Sequence, residues 1–196
     1  MDDFIYYEQK AKEILDKNDF ENSFFDDIDA YLLPPYLEYM KLIKANCKKQ
    51  DKVLELGAGT GNLTKLLVDS NLKITASDIS PSSLEVLKKR YSKYNKLKTK
   101  ILDMSREVNT NEKFKIIVSA GSMSYADNKQ LLDNIYNLLE EKGKFICVDS
   151  YSAFNIYQLN RLLQVILGKR SWSTFKRMPN QKLVSLYKKE DSEVVK

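Results

Sequence analysis

Apolar positions along the chain change period several times, and each change predicts an element. Residues 4–17 place Ile5, Ala11, Ile14 and Leu15 among charges, which predicts an amphipathic helix. Residues 18–29 are acidic and aromatic, with Phe20, Phe24 and Phe25 among Asp and Glu. Pro34-Pro35 interrupts the chain before a second helical run over 36–45, where Leu37, Met40 and Ile43 are periodic. Val53-Leu54-Glu55-Leu56 is apolar except for Glu55 and reads as a short buried strand. Further strands are predicted at 73–77, 98–102, 114–119 and 144–148. Helical periodicity fills 63–70, 81–94 and 129–141, the last run ended by Lys142-Gly143. One more helix is predicted over 153–167, with Ile156, Leu159, Leu162, Leu163 and Ile166 apolar and Gly168 closing it.

Strands alternating with helices predict an α/β fold: a doubly wound, mainly parallel sheet in the order 3-2-1-4-5. The whole of 1–196 is expected to be one domain. Residues 1–48 form an N-terminal helical cap outside the doubly wound core, residues 50–150 the core, and 151–196 a basic C-terminal helical segment. Residues 180–189 read as a last helix and 193–195 as the start of a strand. Little or no sixth strand is therefore expected. The open edge of the fifth strand should be covered by the C-terminal segment or by another chain.

The stretch Val53-Leu54-Glu55-Leu56-Gly57-Ala58-Gly59-Thr60-Gly61-Asn62-Leu63 joins a strand, a glycine turn and a helix start. Glycines let the backbone approach a ligand closely, and free N–H groups at a helix start attract negative charge. The glycines fall at 57, 59 and 61, a G-x-G-x-G spacing, whereas a dinucleotide fingerprint is G-x-G-x-x-G. Glu55 would face a pyrophosphate in a dinucleotide site, but it suits a ligand bearing an ammonium. A turn that only packs strand against helix is the plainer alternative.

VLELGAGTGNLT resembles the glycine-rich motif of class I S-adenosylmethionine-dependent methyltransferases. The resemblance implies that S-adenosyl-L-methionine is the cofactor. It places Gly57, Ala58, Gly59 and Gly61 along the methionine moiety and Glu55 on its amino group. Asp78, at the end of the second strand, is positioned to accept both ribose hydroxyls, as an acid does in dinucleotide sites. The resemblance gives it that role on the adenosyl ribose and lays Ile79 against the adenine. Alternatively Asp78 caps the helix beginning near Pro81, although Ser80 is able to cap instead. Asp103 and Met104 match positions at the adenine amino group and ring, against ordinary turn chemistry for Asp103. Ser119, at the end of the fourth strand, joins the cofactor set. The family's N-terminal helices cover the cofactor and shape the acceptor pocket. Tyr31 and Tyr36 are candidates for facing that pocket, although simple packing on the sheet is the better reading for either one alone. The family usually finishes with a sixth strand and an antiparallel seventh, so the resemblance covers 50–150 well and the ends poorly.

Composition narrows the chemistry. Histidine is absent, which removes the usual general base, and Cys47 and Cys147 cannot complete a zinc set. No metal is expected, and reduced thiols fit a cytoplasmic protein. Acids in Met1-Asp2-Asp3-Phe4 argue against a signal peptide, and no apolar run is long enough to span a bilayer. The loop from Ala120 to Asp127 and the segment Asp149-Ser150-Tyr151 follow the carboxyl ends of strands four and five, where such sheets bind ligands. A hydroxyl acceptor needs a base, and Asp149 and Asp127 are the catalytic candidates, with Tyr125 as a polar helper. An amine entering as the free base needs none.

The net charge of +5 conceals an asymmetry: residues 1–40 hold eleven acids against three lysines, and 150–189 hold eight basic residues and no acid. The expected acceptor is a small molecule, anionic or glycan-like, methylated on O or N beneath the N-terminal helices. Arg161, Lys169, Arg170, Lys176 and Arg177 would attract its phosphate or carboxylate. Against this, the acidic and basic segments pair with each other, or the basic one is simply solvated. A nicotinamide-dependent oxidoreductase is disfavoured by the glycine spacing. An RNA- or protein-modifying methyltransferase remains open. A nucleic-acid amino group would call for a D/N-P-P-Y/F motif that S-A-G-S-M-S-Y lacks, and the acidic arm would repel a phosphate backbone. A non-catalytic cofactor-binding partner protein is the third alternative. No membrane partner is expected, and the chain would be a monomer or homodimer.

Overall fold

Runs of β-branched and apolar residues too short for helices make strands that bury both faces. The computed structural model describes residues 3–20, 33–123, 128–149 and 184–188. In chain order the elements are α1 (Asp3–Lys17), α2 (Leu33–Asn46), β1 (Lys52–Leu56), α3 (Thr64–Asp69), β2 (Lys73–Asp78), α4 (Pro81–Arg90), β3 (Leu97–Ile101), β4 (Phe114–Ala120), α5 (Asn128–Leu138), β5 (Leu139–Val148) and β6 (Val184–Lys188). They build one sheet in the order β3-β2-β1-β4-β5-β6. The first five strands are parallel in the expected 3-2-1-4-5 order.

Alternation along the strands separates two cores. Val53, Ile74, Ala76, Ile116, Val118, Ile146 and Val148 face one way, against Leu66 and Leu67 of α3, Leu87 of α4, and Tyr39 and Ile43 of α2. Leu54, Leu56, Ile117, Phe145 and Cys147 face the other way, against Leu131, Ile135 and Leu138 of α5. Register is strongly specified in such a sheet, because a slip of one residue would exchange the two cores.

Three features add to or correct these expectations. First, α2 packs on the sheet, the alternative reading for Tyr36: Tyr39 and Ile43 are buried in the sheet's core, and Tyr36 packs against them. Apolar residues at helical spacing find more area on the sheet than over a cleft. Pro34 and Pro35 lie inside the first turn of α2, where a missing N–H costs little. Second, α5 ends at Leu138 and not near residue 141, and β5 begins at once. Leu139 pairs with Phe114, then the register shifts so that Ile116 pairs with Lys144. Lys142 sits in this irregularity at φ 59°, so the turn expected to end the helix bulges a strand instead.

Third, residues 184–188, expected to be helical, form β6, which runs antiparallel to β5 from Lys144↔Lys188 to Val148↔Val184. A bare β5 edge would leave its N–H and C=O groups unpaired. The C-terminal segment covers that edge, as expected, but does so as the sixth strand that was not. The predicted helix over 153–167, and Arg161, Lys169, Arg170, Lys176 and Arg177, lie outside the described residues.

The position of α2 yields a test. Ile43→Ala removes a side chain only 1% exposed and should cost about 2–5 kcal/mol. Urea unfolding followed by far-UV circular dichroism measures it. A loss below about 0.5 kcal/mol would mean that α2 is not part of the sheet's core.

Candidate functional site

The site is built where β1 gives way to the glycine turn. Gly57, Gly59 and Gly61 all take positive φ, at 65°, 54° and 89°, a region that L side chains rarely adopt. Their surroundings differ. A Cβ on Gly57 would lie 2.3 Å from Ser122 Cβ, and one on Gly61 would lie 2.8 Å from Tyr91 Cε2. A Cβ on Gly59 would meet nothing within 4 Å. Gly57 and Gly61 therefore serve close packing, while Gly59 opens to space that a ligand can enter. Ala58 N–H donates to Ser77 O at 2.9 Å, tying the turn to β2.

Two carboxyl groups stand under and beside this turn. Glu55, 4% exposed, shares the face of Val53 and accepts a 2.7 Å hydrogen bond from Thr64 Oγ1. Burial pushes its pKa up to about 7, the Thr64 bond opposes the rise, and the nearby Asp78 charge adds to it. Asp78 ends β2. Its Oδ2 accepts from Gly59 N–H at 2.8 Å and its Oδ1 from Ser80 N–H at 2.9 Å. Burial raises its pKa, and the N–H groups of Ser80, Gly59 and Ile79 work against that rise. Ser80 is the N-cap of α4, its hydroxyl accepting from Ser83 N–H at 3.0 Å. The cap role thus falls to Ser80, and Asp78 is directed at the glycine turn.

The remaining candidates divide. Ile79 stands 45% exposed just past β2, available to a flat ring. Asp103 accepts from Ser105 N–H at 3.0 Å and pairs with Arg106 at 3.2 Å, which is the turn chemistry that competed with an adenine role. Met104 packs partly buried against the α5-side core. Ser119 is fully buried, and its hydroxyl shares a 2.7 Å hydrogen bond with that of Ser122. Asp149 follows β5, and its Oδ2 accepts from Met123 N–H at 2.8 Å, fixing the loop after β4. Tyr31, Tyr125 and Asp127 lie outside the described residues.

Several residues that shape the site are not evident from motif reading. Thr64 holds Glu55. Ser122 fills the space beside Gly57, and its hydroxyl donates to Leu56 O at 3.1 Å. Glu8 of α1 accepts from the hydroxyls of Ser80 and Ser82, so α1 is fastened to the start of α4 beside Asp78. Desolvation raises the Glu8 carboxyl, but those serine bonds outweigh it and leave its pKa below the usual value. Asn134 of α5 donates to Met104 O and Arg106 O and accepts from Val108 N–H, which fixes the loop after β3. Only Asn134 left a signal: it sits three residues after Leu131, on the apolar stripe of α5, where a polar side chain needs buried partners.

Comparison with known proteins finds methyltransferases. A family model described as a methyltransferase domain matches residues 54–145. A malonyl-[acyl-carrier protein] O-methyltransferase of Acetivibrio thermocellus is 29% identical over 117 residues, covering 59% of this chain and 40% of that protein. The ribosomal RNA small subunit methyltransferase A of Fusobacterium nucleatum is 32% identical over 117 residues, covering 54% of this chain and 44% of that one. The chain thus spans less than half the length of either relative. Among solved structures, the glycopeptide N-methyltransferase MtfA complexed with S-adenosyl-L-methionine superposes with a TM-score of 0.53 at 26% identity, covering 59% of this chain and 54% of that one. No helix among the described residues is long and apolar enough to cross a membrane.

The Glu55 carboxyl makes stability depend on pH in a definite direction. Its folded pKa of about 7 exceeds the ordinary 4.5, so the folded state holds the proton more tightly. The contribution is fully present below pH 4.5 and is lost as pH rises through 7, at a cost of about 3 kcal/mol. Asp78 acts in the same direction and Glu8 in the opposite one. Glu55→Gln keeps an acceptor for Thr64 and should match the parent near pH 5 but exceed its stability by about 2–3 kcal/mol at pH 8. Denaturant titrations of both proteins across pH 4.5–8.5 measure the difference, and a constant difference would contradict the assignment.

Proposed function

We propose that the chain is a class I S-adenosylmethionine-dependent methyltransferase acting on a small-molecule acceptor at O or N, a reading supported by the methyltransferase-domain match over residues 54–145 and the likeness to MtfA. The observation carrying the cofactor reading is a pair of carboxyls at one open glycine, Glu55 buried and Asp78 half-buried. Gly59 leaves room for a ligand backbone, Asp78 is held against its N–H, and Glu55 lies beneath. Burial makes ionised Glu55 costly, so a ligand ammonium that lowers its pKa gains from meeting it. A pyrophosphate would gain nothing from either acid.

Bound there, S-adenosylmethionine supplies a methyl group already activated by its sulfonium, so alignment and proximity account for most of the acceleration. The chain's own residues orient the two reactants. Glu55 takes the amino group and Asp78 the ribose hydroxyls. Ile79 offers its exposed side chain to the adenine, and Asp103 and Met104 lie at the end of the next strand. Ser119 acts through Ser122, which packs on Gly57. Asp149 positions the Met123 backbone beside the acceptor and is the described residue best placed to accept a hydroxyl proton. Asp127 remains a proposed alternative base and Tyr125 a proposed polar helper.

The small-molecule reading rests on the lack of a D/N-P-P-Y/F motif after β4 and on the acidic N-terminal region. The ribosomal RNA relative favours a second reading, methylation of RNA.

Two measurements test the proposal. Calorimetric titration should give saturable binding of S-adenosylmethionine and its demethylated product and none of NAD, with Asp78→Ala weakening binding by about 1–3 kcal/mol. Labelled methyl transfer to pools of small metabolites, nucleotide sugars, acyl-carrier-linked acids and bulk RNA then identifies the acceptor class. Labelling confined to RNA, falling steeply as salt rises, would establish the second reading in place of the first.

A further inference from the structure

The C-terminal end of α4 holds the glycine turn at Thr60, Gly61 and Asn62. Arg90 Nη1 donates to Thr60 O at 2.9 Å, to Thr60 Oγ1 at 3.2 Å and to Asn62 Oδ1 at 2.6 Å. Its neighbour Tyr91 donates its hydroxyl to Gly61 O at 2.6 Å. Two consecutive residues thus grasp two consecutive carbonyls and two side chains of the turn. A Cβ on Gly61 would strike Tyr91 Cε2 at 2.8 Å and Leu87 Cγ at 3.0 Å, so the grip exists only because residue 61 is glycine.

The direction of the grip has a chemical consequence. In a trans peptide the C=O and N–H point opposite ways. Drawing Gly61 O toward Tyr91 therefore turns the Asn62 N–H away from α4. The Gly61 N–H closes the turn itself, donating to Ala58 O at 3.0 Å. Left-handed backbone at 57, 59 and 61 is easily relaxed in glycine, so an outside constraint is needed to keep one conformation. Charge-assisted bonds from a half-buried guanidinium, with a tyrosine hydroxyl beside them, are suited to that task.

We propose that Arg90 and Tyr91 are positioning residues for the cofactor, setting its affinity by holding the glycine turn from α4 without touching the ligand. This rests on the cofactor reading above. Organisation before binding reduces the ordering that binding must otherwise accomplish. Loss of the grip therefore appears in cofactor affinity and in the turn's local opening, and leaves the strands beneath intact.

The test uses the full chain, with S-adenosylhomocysteine as calorimetric probe and amide hydrogen exchange as the second readout. Arg90→Met removes the charged donors at similar length and should weaken probe binding at least about tenfold. Tyr91→Phe removes one hydroxyl and should weaken it about threefold to tenfold. Arg90→Lys keeps a cation able to reach one carbonyl and should fall between Arg90→Met and the parent. Exchange at 58–62 should quicken in each weakened variant, while β1 and β4 stay protected. A parent chain that fails to bind the probe overturns the cofactor reading and this inference together. A parent that binds, with Tyr91→Phe and Arg90→Met binding equally well, overturns this inference alone. So does weakened binding accompanied by loss of protection throughout β1 and β4, since that is the signature of a merely structural role.

Discussion

A carboxyl group buried beneath a glycine turn is the constraint on which the rest of the site depends. Glu55 sits on β1 with apolar neighbours in sequence, and burying an ionisable group without a partner costs several kcal/mol. The fold lowers that cost locally. Thr64 donates to the carboxylate, and burial lifts the pKa to about 7, so the group is often neutral near physiological pH. Ser77 donates to the Glu55 carbonyl at 2.7 Å, which keeps β1 and β2 in register at the level of the site. A buried acid with a perturbed pKa beside an open glycine is a candidate functional group.

From that point the arrangement spreads through α4. At its first turn, Glu8 of α1 engages Ser80 and Ser82; at its last, Arg90 and Tyr91 engage the glycine turn. Between them Leu84, Val86 and Leu87 are buried. One helix of ten residues therefore connects the N-terminal helix, the end of β2 at Asp78 and the loop of three glycines. At about 1.5 Å per residue it spans about 15 Å.

The second side of the cleft is organised by smaller means. Gly121 N–H donates to Val148 O at 2.8 Å, and Met123 N–H donates to Asp149, so the loop after β4 is fastened to the end of β5. Asn134 does the same for the loop after β3. In each case a group later in the chain fixes the backbone of an earlier loop.

The sequence by itself determined the strand order, the helices between the strands and the chemistry of β1 and β2. Those features are local: β-branched runs, three glycines with Glu55 and Asp78 at fixed offsets, and the Ser80-Pro81 helix start. Tertiary structure decided what locality cannot carry. That Tyr39 and Ile43 enter the sheet's core, and are not a roof, depends on area offered by residues more than a hundred positions away, such as Ile146. That 184–188 form a strand depends on the unpaired edge of β5, since V-S-L-Y-K suits either a helix or a strand until a partner is present. That Asp103 turns to Arg106, that Ser119 is occupied by Ser122, and that Arg90 reaches Thr60 are likewise set by packing. A polar residue's type shows what it is able to bond; only the fold brings one partner near enough to win.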